Sequence, residues 1–363
     1  MIKRQAAFEK NKPFLKGALH CHTTRSDGSG TPEEVIKLHH EEGYHFMALT
    51  DHNIFNHVNH ADVPMTMLSG IERDMGMPGP AQDKPICIHV VGVGVPHDPR
   101  TPGQDVKAEW FGDHEDCMDA QQMIDEMHTW GLKTIYAHPE WSCTTYQDFK
   151  DLKGNFGMEV WNTGCVMDNG LDDNAPYWDE AWDDGNEMWG VATDDGHPMN
   201  QHCKGWVMVS SENNAESILE ALEKGEFYAS CGPEIYDFYE EDGRVVVKCS
   251  PVKSIQFVTL RYPLRKWYAE EGATMTEAYS DPPKGTRYVR ATVVDALGRR
   301  AWTNPLKLRG WICSRKYKKN AAQPGGVFAF WFCIFIDALR IYVLYASVFT
   351  APEPWPESAW SWR

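Results

Sequence analysis

The chain lacks several features that would place it in common protein classes. Its 363 residues include ten cysteines, but they form no C-x-x-C pair and no regular spacing, which excludes a disulfide framework and favours reduced thiols in an intracellular protein. No P-loop, G-x-G-x-x-G or Ser–His–Asp signature is present, so no nucleotide cofactor is implied. Residues 1–16 contain no apolar segment like that of a signal peptide, and we expect a cytoplasmic protein.

Basic residues are also scarce. Lysine and arginine number 35 against 52 acidic residues, which gives a formal charge of −17 at pH 7. This balance argues against an extended basic groove and therefore against duplex nucleic acid as a partner. It is compatible with a small phosphorylated substrate, because bound cations would reverse the local potential.

A pattern of apolar run, polar loop and helical segment recurs over the first 230 residues. In the clearest unit, Thr31-Pro32-Glu33-Glu34 supplies an N-cap, a proline in the first turn and a capping-box glutamate, and Gly43 ends the helix. About seven such units predict an α/β fold of parallel βα repeats closed into a barrel, regular or distorted. In such barrels the reactive groups lie at the carboxyl ends of the strands.

Histidine and acidic residues follow these apolar runs. His20 and His22 are separated by one residue at the end of a strand, so they project from the same face and could bind one metal ion. Cys21 then points to the opposite face, where we expect it in the core. Further candidate ligands lie at or just past the ends of other apolar runs: Glu72, His89, His138, Asp195 and His197. This shared position indicates a metal-dependent hydrolase.

The pattern changes at Pro233 to short strands without intervening helices. We expect the barrel to span residues 1–232. After it, the turn signals Asp242-Gly243 and Leu297-Gly298 predict a small antiparallel β module over 233–309.

Residues 310–363 form a basic linker and a hydrophobic tail of uncertain nature. Its apolar stretch 327–349 would reach about 34 Å as a helix, enough to cross a bilayer core. Asp337 and Arg340 lie within that stretch, where charges are costly. A membrane anchor, a helix that contacts a partner and a non-native extension of the reading frame all stay open, and a membrane is a predicted partner only through this segment.

Five short elements with histidine or acidic residues occur in a fixed order. They are H-x-H-x-x-x-x-D-G (His20 to Gly28), T-D-H (Thr50 to His52), G-I-E (Gly70 to Glu72), A-H-P (Ala137 to Pro139) and D-x-H (Asp195 to His197). Over about residues 15–230 this series resembles the polymerase and histidinol phosphatase (PHP) family of metal-dependent phosphoesterases. Glu159-Val160-Trp161-Asn162 also looks like an acidic strand of that family.

The resemblance implies a distorted (β/α)7 barrel that holds two or three divalent ions of zinc, manganese or iron. The first ion would be bound by His20, His22 and Asp195. Glu72 would bridge it to a second ion, completed by His89 and His138. The third ion would be bound by Asp27, His52 and His197.

The residue types favour the same chemistry independently. Six histidines with two or three carboxylates form a nitrogen and oxygen ligand set, which suits zinc, manganese or iron. Two such ions can share a water and lower its pKa, and the resulting metal-bridged hydroxide attacks phosphorus in line. Besides Glu72 and Asp195, the candidate catalytic residues are Asp51 and Asp194, which could assist the leaving oxygen or, as we favour, orient an imidazole.

Substrate phosphate also needs fixed cations. Arg25, in the first motif loop, and Arg73, beside Glu72, are the substrate-binding candidates, because guanidinium groups bind phosphate bidentately. A surface salt bridge is the alternative interpretation for each.

The sequence therefore predicts a phosphoesterase acting on a small phosphomonoester or on a nucleotide or oligonucleotide end. Three alternatives stay open: a 5′–3′ exonuclease on short nucleic acid, a metal-dependent hydrolase of a non-phosphorus bond, and a non-catalytic metal-binding module. Nothing in the sequence indicates the oligomeric state.

Overall fold

The computed structural model describes residues 4–8, 12–81, 84–97, 106–114, 116–171 and 174–308. The chain up to Trp311 forms one compact unit, and residues 312–363 lie outside the described ranges. The predictions for the tail, including 327–349, therefore concern residues that the structure does not describe. Among the described residues, no helix is long and apolar enough to cross a bilayer.

The first helix begins where its capping sequence predicts. The Thr31 side chain accepts a hydrogen bond from the Glu34 amide, and the Glu34 carboxylate accepts one from the Thr31 amide. This capping box satisfies two amides that the first turn leaves without helical partners. The α-helices in the described residues are α1 (Pro32–Glu41), α2 (Ala120–Thr129), α3 (Tyr146–Phe149), α4 (Thr163–Asn169), α5 (Ala175–Asp184) and α6 (Ala215–Lys224).

Most predicted ligands follow the ends of strands before residue 232, but Glu72 and His89 lie in the interior of their strands, which corrects the position predicted for them. The strands before residue 232 are β1 (Gln5–Ala6), β2 (Phe14–Ala18), β3 (Phe46–Ala48), β4 (Ile54–Phe55), β5 (Thr66–Ala81), β6 (Lys84–Gly94), β7 (Val106–Lys107), β8 (Lys133–Tyr136), β9 (Asn155–Asn162), β10 (Trp189–Thr193), β11 (Trp206–Ser210) and β12 (Phe227–Ser230). Four neighbouring pairs are parallel, as the βα repeats predict: β2–β3, β3–β5, β8–β9 and β9–β10.

Other strand pairs are antiparallel, which corrects the prediction of repeated parallel units. β5 and β6 pair antiparallel, because only residues 82–83 separate them and a parallel pair needs a long crossover connection. β6–β8 and β2–β11 are antiparallel as well. The fold is therefore mixed α/β.

The barrel is not closed in the described residues. The strand order of the large sheet is β10-β9-β8-β6-β5-β3-β2-β11-β12, followed by strands of the C-terminal region. β10 lies close to β11 and β12 but forms no ladder with either in the described residues. In the described residues, the strand pairing of the large sheet therefore does not form a continuous ring.

All strands described between 233 and 308 pair antiparallel, as the turn signals predict. They are β13 (Ile235–Glu241), β14 (Arg244–Val252), β15 (Ser254–Thr259), β16 (Tyr262–Tyr268), β17 (Met275–Ser280), β18 (Tyr288–Val294), β19 (Arg300–Thr303) and β20 (Leu306–Lys307). β19 pairs with β12, so the large sheet continues across residue 232, and β1 pairs with β13. A domain boundary at 232/233 stays a prediction.

Candidate metal centre

The predicted ligands converge from distant parts of the chain. His20 and His22 follow β2, His138 follows β8, and Asp195 and His197 follow β10. On β5, Asp74 lies directly opposite His89 of the antiparallel strand β6. Glu72 is two residues from Asp74 and therefore projects from the same face, diagonal to His89. The hairpin that breaks the parallel order thus places a carboxylate and an imidazole on the site together.

Four of these residues form a buried group. The Nε2 atoms of His20 and His22 lie 3.2 Å apart. Glu72 Oε2 lies 3.2 Å from His20 Nε2 and 3.1 Å from His22 Nε2. Asp195 Oδ1 lies 3.2 Å and 3.0 Å from the same two nitrogens. One ligand atom from each residue could therefore reach a common ion.

The other oxygen of Glu72 faces a second set of imidazoles. Glu72 Oε1 lies 3.0 Å from His89 Nδ1 and 3.5 Å from His138 Nε2. His52 Nδ1 lies 3.3 Å from Glu72 Oε2, and His52, Glu72 and His89 form a group that could hold an ion. Glu72 therefore stands between two ligand sets, in the position expected of a bridging carboxylate.

A third group surrounds Asp27 at the rim. Asp27 Oδ2 lies 3.3 Å from His197 Nε2 and 3.8 Å from His52 Nε2. His22 joins this group through Nδ1, which lies 3.5 Å from Asp27 Oδ1, although the resemblance assigns His22 to the first ion only. The structure brings all nine predicted metal ligands to one place.

Several buried polar atoms of this cluster lack hydrogen-bond partners among the described residues. They are Glu72 Oε2, Asp195 Oδ1 and His52 Nδ1. Burying an unpaired carboxylate oxygen is costly unless a cation compensates it. The donor set and these unpaired atoms therefore fit divalent cations.

The electrostatics of the cluster favour ionised carboxylates. Burial would raise the pKa of Glu72, but the neighbouring His20, His52 and His89 hold it well below its ordinary value. Burial would lower the pKa of His20, but Asp195, Glu72 and Glu159 raise it well above its ordinary value. The buried carboxylates of the site need compensating positive charge, which protons on imidazoles or bound cations can supply.

The backbone is strained at two ligand positions. His138 and Asp195 have φ values of 22° and 47°, a region that residues with a side chain rarely adopt. Such conformations persist where the surrounding structure holds them, and they concentrate at functional sites.

Glu159 is a site residue whose role sequence reasoning missed. Its Oε1 lies 2.7 Å from His20 Nδ1, and its Oε2 accepts hydrogen bonds from the His138 amide and from Asn162 Nδ2. Asn162 Nδ2 also donates to Asp195 Oδ2 at 3.1 Å. The acidic strand β9 was recognisable in the sequence, but only the fold shows that Glu159 holds two ligands in place.

Asp51 and Asp194 do not lie against the ligand imidazoles, which corrects both parts of their prediction. Asp51 is buried and accepts hydrogen bonds from Thr23, Ser26 and Asn56, so it anchors the loop that carries Asp27. Asp194 accepts hydrogen bonds from the backbone amides of residues 203, 204 and 205. Each is adjacent in sequence to a ligand but points away from the cluster.

The two predicted phosphate-binding arginines are placed differently. Arg73 is 3% exposed, pairs with Glu126 at 2.9 Å and packs on the Trp130 ring. It points away from the centre because successive residues of β5 alternate faces and Glu72 occupies the inner one. Arg25 donates a hydrogen bond to Asn56 Oδ1 at 3.2 Å beside the first motif loop.

A cavity of about 460 Å³ opens over the ligand cluster. Its rim includes Trp141, which is 38% exposed and whose ring contacts His89 and His138 edge-on. Asp168 also lines the cavity, and none of its described lining residues is a lysine or arginine.

Comparisons with known proteins find no matching family model and no matching curated protein. Solved structures are similar at low identity. A two-domain protein from Bacteroides vulgatus containing a predicted PHP-like metal-dependent phosphoesterase is 15% identical, with a TM-score of 0.43 over 84% of this chain and 91% of that one.

Two further solved structures are similar over part of the chain. An amidohydrolase from Chromobacterium violaceum is 16% identical, with a TM-score of 0.37 over 51% of this chain and 88% of that one. A candidate metal-dependent phosphoesterase from Bifidobacterium adolescentis is 14% identical, with a TM-score of 0.34 over 59% and 98% respectively.

Proposed function

We propose that this protein is a metal-dependent phosphoesterase that hydrolyses small phosphorylated substrates. The observation that carries the proposal is the ligand cluster itself, in which carboxylate oxygens of Glu72 and Asp195 are buried among imidazoles without hydrogen-bond partners. Its nitrogen and oxygen donors suit zinc, manganese or iron, and its three groups would hold two or three ions.

Three of the imidazoles have one ring nitrogen in contact with a protein oxygen, which leaves the other nitrogen to face a cation. The Nδ1 atoms of His20, His138 and His197 lie 2.7 Å from Glu159 Oε1, 3.2 Å from Ser142 Oγ and 3.0 Å from the Asp195 carbonyl oxygen. Since a carbonyl oxygen only accepts, His197 Nδ1 carries the hydrogen and Nε2 presents its lone pair. Such contacts orient a ligand and raise its basicity.

Bound divalent ions supply Lewis acidity, which lowers the pKa of water and neutralises charge on a phosphoryl group. Glu72 offers one oxygen to the His20 and His22 side and the other to the His89 and His138 side. Asp195 similarly directs Oδ1 towards His20 and His22. These carboxylates would hold the ions, and a substrate oxygen would then meet charge that the protein has already positioned.

The cavity limits the substrate. Its described lining contains no lysine or arginine, so bound ions would supply the positive charge that this part of the cavity offers to a phosphate. A volume of about 460 Å³ suits a small molecule, and the exposed Trp141 ring offers an apolar surface for the leaving group. An oligonucleotide end is a weaker candidate, since backbone phosphates beyond the reacting one would find no cation in this lining.

The ligand cluster also supports a second candidate function, hydrolysis of an uncharged ester or amide. Such a bond needs the activated water and the metal charge but no additional cation to hold a phosphate. The two candidates differ in the substrate that the cavity accepts, not in the ligand cluster.

A metal-reconstituted hydrolysis panel tests the proposal. The full-length protein is stripped with a chelator, reloaded with zinc, manganese or iron(II), and assayed on p-nitrophenyl phosphate, nucleotides and histidinol phosphate beside matched ester and amide substrates. We expect metal-dependent phosphate release that Asp195→Asn abolishes and that the surface control Asp151→Asn preserves.

Each other result has a defined meaning. Turnover confined to the ester and amide substrates would reject phosphoester chemistry and favour the second candidate. A folded, metal-loaded protein that is inactive on every substrate would contradict both and favour a metal-binding module.

A further inference from the structure

A second group of metal-ligating side chains lies outside the proposed catalytic centre. His39 lies on α1, Asp194 follows β10, and His202 follows the short 3-10 helix Met199–Gln201. His39 and Asp194 have no exposed surface, and His202 is 3% exposed. One ligand atom from each lies within 4.8 Å of the others.

Three of the four ring nitrogens in this group have no hydrogen-bond partner in the described residues. His39 Nε2 and both ring nitrogens of His202 are buried and unpaired in the described residues. A buried polar group that gives up water without gaining a partner destabilises the folded state. Three such atoms in one place indicate that a binding partner belongs there.

The tautomer of His39 is set by the helix. Its Nδ1 lies 2.8 Å from the Val35 carbonyl oxygen, which can only accept, so Nδ1 carries the hydrogen. The Nε2 atom of a neutral ring then presents a lone pair towards Asp194 Oδ2, 3.8 Å away. This separation is too long for a hydrogen bond, so when the ring is neutral the two acceptors face each other with space for a cation between them.

Asp194 has a free position for that cation. Its Oδ1 accepts hydrogen bonds from the Lys204 and Gly205 amides, whereas Oδ2 accepts only that of Cys203. A carboxylate oxygen has two acceptor positions, so Oδ2 keeps one open.

We propose that His39, Asp194 and His202 bind one structural divalent cation, with zinc the best fit, at a site separate from the catalytic centre. Two imidazoles and a carboxylate are common zinc ligands. Because the site is enclosed, the ion is acquired during folding and exchanges slowly.

This ion would tie the first helix to the loop that carries two catalytic ligands. Gly196 lies between Asp195 and His197 and packs against His202, where an added Cβ would come within 2.7 Å of His202 Nδ1. Only glycine allows this approach. The structural ion would therefore support the strained Asp195 backbone from behind without contacting the substrate cavity.

Metal counting on the full-length protein tests the site. The wild type, the His39→Gln/His202→Gln variant and the control His40→Gln are loaded with zinc, dialysed and analysed by mass spectrometry. His40 lies next to His39 on α1 but is only partly buried. We expect the double variant to hold one zinc fewer per chain and the control to match the wild type.

Two outcomes overturn the proposal. The first is a double variant with native circular dichroism that binds as many ions as the wild type, which would mean that a protonated His39 simply pairs with Asp194. If the double variant does not fold, anomalous diffraction at the zinc edge from wild-type crystals decides. A peak among the three side chains supports the site, and peaks at the catalytic centre alone overturn it.

Discussion

At the residue scale, the centre depends on which face of a strand each side chain occupies. Glu72 and Arg73 are neighbours in sequence, yet Glu72 contacts five imidazoles while Arg73 pairs with Glu126 on the other side of β5. Alternation along a strand explains the difference. It also determines which residues control binding and which control stability.

Glu159 is expected to act on metal affinity through His20. In Glu159→Gln the contact to His20 Nδ1, 2.7 Å long, loses its negative charge, and one of the two acceptor oxygens, which serve His20 and the His138 amide, becomes an NH2 group. Loss of such a contact typically lowers metal affinity about 10–100-fold. Competition with a chromophoric chelator measures the change. Glu216→Gln, on the exposed surface of α6, is the control, and an unchanged affinity in Glu159→Gln would contradict this role.

Arg73 is expected to support the fold and not the substrate. Arg73→Met removes the contacts to Glu126 and to the Glu109 carbonyl oxygen and should lower the free energy of unfolding by about 1–3 kcal/mol. The KM for a phosphorylated substrate should not change. Urea denaturation and steady-state kinetics test the two parts, and a raised KM at unaltered stability would restore the sequence prediction for Arg73.

At the element scale, the site depends on one departure from the parallel pattern. The β5–β6 hairpin brings Glu72 beside His89, while the parallel strands β8, β9 and β10 bring His138, Glu159 and Asp195 to the same rim. Helix α1 carries His39.

The cap of α1 is expected to stabilise this element measurably. Thr31→Ala removes the acceptor for the Glu34 amide and should cost about 1 kcal/mol in the free energy of unfolding. Thr31→Ser keeps the hydroxyl and should remain near the wild-type value. Chemical denaturation of both variants measures the difference, and equal loss in the two would show that the methyl group, not the cap, matters.

At the scale of the whole molecule, a concentrated negative charge is buried in an acidic protein. Without bound cations, the imidazoles of His20 and His89 would serve as counter-ions, since nearby carboxylates raise the pKa of both well above the ordinary value of 6.5. A raised folded-state pKa gives stability that is present below 6.5 and is lost as pH rises through the folded value.

The metal-free protein is therefore expected to lose thermal stability as pH rises above 6.5. In the metal-loaded protein this loss should disappear or reverse, because metals replace the protons and bind more tightly as the imidazoles deprotonate. Melting temperatures in chelator and in excess metal across this range test the effect. Parallel pH profiles in the two conditions would contradict it.

Much of the site could be predicted from the sequence. Eight of the nine candidate ligands belong to short elements with distinctive spacing, which does not depend on the exact strand order, whereas His89 belongs to none of them. Three other features could not be predicted from the sequence: the role of Glu159, the inward direction of Glu72 and the outward direction of Arg73. They depend on β-strand register and on contacts between residues more than 100 positions apart, as for His20 and Glu159.

The sequence by itself determined the ligand types, the α1 cap and the turn at Asp242-Gly243, because each follows from local chemistry over a few neighbouring residues. Only the tertiary structure decided the antiparallel hairpin, the open barrel and the gathering of His39, Asp194 and His202. Those features arise from long-range strand pairing and packing, whose partners no local pattern specifies.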